Sequence, residues 1–151
     1  MKKCLIVGKF AIGRNILDGQ TIKCETIYDE LLKKYGQNNV VRIDTYEWKS
    51  KPIRIFIDCL VGVIKCENVI IMPAHNGIKI FAPMFSFYKK MFNRKIHYIV
   101  IGSWLFQKVQ SSKKLKKSLT QGNVGVIIVH VLENRAHDSL AQLAEQLTLN
   151  Q

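Results

Sequence analysis

Asn68-Val69-Ile70-Ile71-Met72, closed by Pro73, is an unbroken apolar run too short for a core helix and without polar alternation. Such a run reads as a strand buried on both faces, the kind found in parallel sheets. Working outward, Cys4-Leu5-Ile6-Val7-Gly8, Val40-Val41-Arg42-Ile43-Asp44 and Ile96-His97-Tyr98-Ile99-Val100-Ile101 share the pattern, two of them stopped by Gly8 and Gly102. Helical spacing fills the intervals. Cys24, Ile27, Tyr28, Leu31, Leu32 and Tyr35 lead to a Gly36 stop, and Pro52 opens a second helix whose buried stripe is predicted as Ile53, Phe56, Ile57, Leu60 and Ile64. A third helix is predicted from Gly77 to Phe92, where Pro83 either kinks it or marks its first turn. A basic helical stretch runs to about Leu119, a fifth strand is placed at 124–132 and a last helix at 139–149. Strands alternating with helices imply right-handed crossovers: an α/β fold with one parallel sheet covered on both faces.

The 151 residues suit one domain, and 48% hydrophobic content suffices for a core. No apolar run approaches the length of a spanning helix, and no leader-like stretch precedes Cys4. The net charge of +12 is unevenly spread: residues 68–132 hold ten bases and no acid, which favours anionic partners. Cys4, Cys24, Cys59 and Cys66 form no C-x-x-C pair and read as small buried hydrophobes of a reducing cytoplasm rather than a metal site. The last aromatic residue is Phe106, so composition changes after Lys117.

Ligands of open α/β sheets sit where strand carboxyl ends meet helix starts, which points to Gly8–Gln20, Pro73–Gly77 and Gly102–Leu105. Gly8-Lys9-Phe10-Ala11-Ile12-Gly13-Arg14 has the two-glycine spacing of a phosphate loop, but Arg14-Asn15 stands where a Walker loop needs Lys-Ser/Thr. G-x-G-x-x-G and Asp-x-Asp are absent, so no metal and no cofactor are expected. Asp18 is placed as a helix cap, with Gly19 either part of a plain capped turn or open to a ligand. His75-Asn76-Gly77 reads as a ligand loop or as a turn with Gly77 at positive φ, and His97 reads as structural.

The first strand closed by glycine, the Gly19-Gln20 helix start, Met72-Pro73-Ala74-His75-Asn76-Gly77-Ile78-Lys79 and Ile99-Val100-Ile101-Gly102-Ser103-Trp104-Leu105 resemble the N-terminal Rossmann-like domain of family-4 GT-B glycosyltransferases of bacterial polysaccharide biosynthesis. The resemblance covers residues 2–119. It departs at Asp18 and at Ser103, where glycine is common in the family. It implies half of a GT-B fold, and transfer of a sugar from a nucleotide sugar to a lipid-linked or saccharide acceptor without metal or protein nucleophile. It places Gly19 and Gln20 on the donor-phosphate side and Asn76, Gly77, Gly102, Ser103 and Trp104 around the acceptor. No catalytic residue is assigned.

The family's nucleotide-sugar pocket belongs to a second domain, for which 151 residues leave no room. The expected division is a glycosyltransferase-like domain over 1–119 and an atypical tail over 120–151. Asp138-Ser139-Leu140-Ala141-Gln142-Leu143-Ala144-Glu145 resembles a translated transfer-RNA gene, which suggests a frameshift or readthrough product, the other reading being an amphipathic closing helix. The basic segments beside an apolar third helix predict a cytoplasmic chain held peripherally at an anionic membrane face. The competing class is a basic α/β binding module, or a subunit of a split glycosyltransferase, without catalysis of its own. Nucleic acid is not an expected partner, since no recognised motif or aromatic platform accompanies the bases.

Overall fold

The computed structural model describes residues 4–16, 18–101, 109–120 and 125–129, with Ile101, Thr120 and 125–129 as backbone alone. Five parallel strands form one sheet: β1 (Cys4–Gly8), β2 (Val40–Asp44), β3 (Asn68–Met72), β4 (Lys95–Ile101) and β5 (Gly125–Val129). The helices are α1 (Gly19–Tyr35), α2 (Pro52–Lys65), α3 (Ile78–Phe92) and α4 (Lys113–Thr120). The spatial order β2-β1-β3-β4-β5 makes this a doubly wound, Rossmann-like α/β domain whose winding reverses between β1 and β3. The predicted strands at 4–8, 40–44 and 68–72 are reproduced, β4 begins one residue early, and β5 falls within the predicted 124–132, whose other positions lie outside the described residues. The division at 119 falls at the end of α4, and the last predicted helix and the transfer-RNA-like segment lie outside the described residues.

Side chains alternate through the sheet as strand geometry requires. Leu5, Val7, Val69, Ile71, Ile96, Tyr98 and Val100 meet α2, α3 and α4 on one face. Cys4, Ile6, Ile70, Met72 and Ile99 belong to the opposite layer, with Cys24, Ile27 and Leu31 of α1. The Tyr98 hydroxyl donates to the Ala82 carbonyl (3.3 Å), so its buried polar end is satisfied inside the larger layer. Arg94 donates to the Val63 and Ile64 carbonyls, closing the last turn of α2. All four cysteines are buried free thiols.

Two expectations are corrected. The stripe Ile53, Phe56, Ile57, Leu60, Ile64 is not the buried face of α2: Ile55, Cys59, Gly62 and Val63 are. A Cβ on Gly62 would lie 2.9 Å from Leu5 Cδ2, so at this turn the helix sits too close to the sheet for a side chain, and the face carrying Cys59 and Gly62 turns inward. Its bulky face points outward, leaving Ile53, Phe56, Ile57 and Ile64 exposed. Second, Gly77 has φ −77°, not a positive value. A Cβ there would approach Phe81 Cδ2 to 3.0 Å, so ring packing rather than backbone freedom selects glycine. Helix α3 begins one residue later than predicted and continues through Pro83, which lies on its exposed side.

Candidate functional site

The β1–α1 loop is shaped by a residue outside it. Asp44, at the carboxyl end of β2, accepts from Phe10 N–H (3.0 Å), Ile12 N–H (2.8 Å) and Tyr46 N–H (2.9 Å). One carboxylate thus holds two loops together, satisfying three main-chain donors. Ala11 (φ 51°) and Gly13 (φ 75°) turn the chain within the loop, and Arg14 N–H bonds back to the Ala11 carbonyl (3.0 Å). Phe10 is buried edge-on against Tyr28 of α1.

Asp18 caps α1 as expected, accepting from Thr21 N–H at 2.8 Å. The Lys9 ammonium pairs with the same carboxylate. That ion-paired hydrogen bond, with the Thr21 N–H behind it, holds the Asp18 carboxyl down at about 2. Thr21 N–H is therefore committed to Asp18, and a Cβ added to Gly19 would meet no atom within 4 Å. Gln20 turns toward β3 instead of into solvent: its amide Nε2 donates to the Met72 carbonyl at 3.2 Å. Gln20 thereby joins the first and second of the junctions singled out in the sequence.

A cleft of about 610 Å³ opens at the carboxyl end of the sheet, between the β1–α1, β2–α2 and β3–α3 loops. Lys9, Arg14 and Lys49 give it cationic character, against Glu47. The Arg14 guanidinium lies over the Tyr46 ring (4.8 Å to its centroid) and pairs with Glu47. Asn76 and Gly77 are on its wall, whereas Gly19 and Gln20 do not line it. Gly102, Ser103 and Trp104 lie outside the described residues. The β2–α2 contribution was not anticipated. Its signal is an aspartate ending an apolar strand, followed by Thr45-Tyr46-Glu47-Trp48, two aromatics within one short loop.

Trp48 and Phe81 pack edge to face, with centroids 6.0 Å apart. Beyond them lies a second, almost wholly apolar groove of about 330 Å³ between α2 and α3, lined by Pro52, Ile53, Phe56, Ile80 and Met84. Among the described residues no group of three His, Cys, Asp or Glu side chains is placed to hold a metal ion. Also among them, no helix is long and apolar enough to cross a membrane. His97 is pushed down from its ordinary value by burial, then by the nearby Lys95 and Lys89 charges. Compared with models of protein families, curated proteins and solved structures, the chain finds no match.

Proposed function

We propose that this domain is the acceptor-side half of a GT-B glycosyltransferase, moving a sugar from a nucleotide sugar to a lipid-linked or saccharide acceptor. The observation that carries the reading is the convergence of three carboxyl-end loops on one open, cationic cleft beside the point where the sheet reverses its winding. The resemblance in the Gly19-Gln20 and Asn76-Gly77 junctions adds to it. In this reading a second domain, from elsewhere in a longer chain or from a separate one, binds the nucleotide and closes over the cleft. Lys9 and Arg14, on the wall of the cleft, then face the leaving diphosphate, where positive charge counts most as negative charge develops. Asn76 and Gly77 border the acceptor.

By itself the domain leaves that diphosphate open to water, which removes most of the stabilisation. Assay with a panel of nucleotide sugars and membrane acceptors should give no turnover alone and turnover once a donor-binding half is supplied. Steady turnover by the chain alone, abolished by Gly19→Val, would overturn the dependence on a second domain. No transfer with any donor half would overturn the enzymatic reading, leaving the binding module or a non-catalytic subunit.

Peripheral attachment to the cytoplasmic face of an anionic membrane belongs to the same proposal. Its support is the placement of Lys113, Lys114, Lys116 and Lys117 on the exposed side of α4, opposite the buried Leu115 and Leu119. Each such lysine contributes on the order of 1 kcal/mol at an acidic leaflet. The chain should sediment with acidic-lipid vesicles at low salt and come off as salt rises. Equal partitioning onto neutral vesicles removes this part of the reading.

A further inference from the structure

We infer that the outer face shared by α2 and α3 is a docking groove for an amphipathic helix of another protein, apolar on one side and acidic on its flanks. At about 100° per residue, Ile53, Ile57 and Ile64 fall on one side of α2, and Ile80, Phe87 and Met91 on one side of α3. All six are exposed. Ile53 and Ile80 line one groove together with Phe56 and Met84, so the two rows face each other across it. The helices are fixed to each other beneath the rows: the Tyr88 hydroxyl donates to the Phe56 carbonyl (3.3 Å), and the two rings stand 5.5 Å apart. From Ile53 to Ile64, and from Ile80 to Met91, each row runs about 17 Å, the length of about three helical turns.

Ile53 is 76% exposed and Phe87 57%, and apolar rows left open side by side mark an interaction surface. Charge and shape decide the occupant. The rows are bordered by Lys79 and Lys90 on α3 and by Lys65 on α2, none of which forms an ion pair among the described residues. No acid lies on α3, and the one acid on α2, Asp58, is taken by Arg54 (3.7 Å). Acidic flanks on an incoming helix therefore meet free ammonium groups, whereas a second copy of this chain would bring the same lysines together. The recess of about 330 Å³ between the rows takes the side-chain ridge of a third helix, which a lipid leaflet does not possess. The rows lie beyond the Trp48–Phe81 pair, and the inference does not depend on the proposed sugar transfer.

The test is fluorescence anisotropy with a labelled, helix-stapled synthetic peptide of about fourteen residues, carrying Leu at helical spacing on one side and Glu on both flanks. Beside it run the same peptide with Lys for Glu, and one with Ser for Leu. At low salt the chain should bind the Glu-flanked peptide at least about tenfold more tightly than either control. Ile53→Ser/Phe87→Ser, both exposed positions, should weaken it about tenfold or more. Lys79→Gln/Lys90→Gln should weaken it about threefold and flatten its salt dependence. Ile22→Ser, exposed on α1 across the sheet, should leave it unchanged, with circular dichroism unaltered in every variant. Equal binding of the Glu- and Lys-flanked peptides, or indifference to Ile53→Ser/Phe87→Ser, would overturn the site. So would a doubling of mass with chain concentration that this variant abolishes, which assigns the face to a second copy. Attachment to acidic-lipid vesicles lost in the same variant, with no peptide bound, would overturn it in favour of a leaflet.

Discussion

The Gln20 side-chain amide donates to the Met72 carbonyl across 3.2 Å, tying the first turn of α1 to the carboxyl end of β3. The bond bridges the two loops that flank the sheet's switch point, so it bears on their spacing rather than on ligand contact. Gln20→Met keeps the length of the side chain and removes the donor. It should cost about 1 kcal/mol, read as a lowered urea midpoint with unchanged slope. A variant as stable as the parent would show that the Met72 carbonyl finds water equally well.

Gly8 admits no side chain. A Cβ there would stand 2.7 Å from the Cys24 sulfur, and both residues are buried. Gly8→Ala should destabilise by about 1–3 kcal/mol. Adding Cys24→Ala should recover part of the loss, a coupling that a double-mutant cycle measures directly. Strict additivity would mean that the clash is relieved by moving α1 instead.

Asp18 gives the fold an acid limit. Its folded-state carboxyl sits near 2, below the ordinary value of 3.8, so its contribution is complete above pH 4 and is lost as pH falls from there toward 2. Asp18→Ala should cost about 1 kcal/mol at neutral pH through loss of the cap. Asp18→Asn, which still caps, should retain much of that stability and flatten the loss between pH 4 and 2. Thermal melts across this range decide it.

His97 acts in a second window. Burial lowers its folded pKa, so the unfolded chain takes up the proton first as pH falls below about 6.5. Stability present above that pH should therefore decline as acid is added. His97→Gln should remove this slope while leaving the one due to Asp18. Parallel stability profiles for parent and variant between pH 7 and 5 would contradict the assignment.

The four thiols should be silent until the fold opens. Burial pushes Cys4, Cys24 and Cys59 up to about 12, far from the thiolate form that reacts, and Cys66 is equally enclosed. Iodoacetamide at pH 8 should label none in native buffer and four in denaturant, counted by intact mass.

The sheet is legible in the sequence because strands buried on both faces leave no choice of pattern. Val69, Ile70 and Ile71 are apolar whichever way they point, so the run marks itself. Asp18 and Gly36 are legible for a similar reason, since a side-chain cap and a φ of 79° each demand particular residues. The buried face of α2 is not. Both faces of that helix are apolar, and counting bulk favours Ile53 and Phe56, whereas the close approach to Leu5 favours Cys59 and Gly62. Sheet-to-helix distance is a tertiary quantity that no local spacing encodes. The cleft was half legible: Asn76 and Gly77 were found by junction and resemblance, but Asp44 and Trp48 act through contacts 34 positions from Phe10 and across to Phe81.

The Asp44 carboxylate has a kinetic consequence. Because it already fixes the main chain of Phe10, Ile12 and Tyr46, a ligand arriving at the cleft finds these two loops ordered, and neither must be captured after contact. Association is then governed by diffusion and by attraction to Lys9, Arg14 and Lys49, so its rate should fall with ionic strength rather than saturate with ligand concentration. A chain carrying Asp44→Asn would exchange that encounter-limited regime for one gated by the loop.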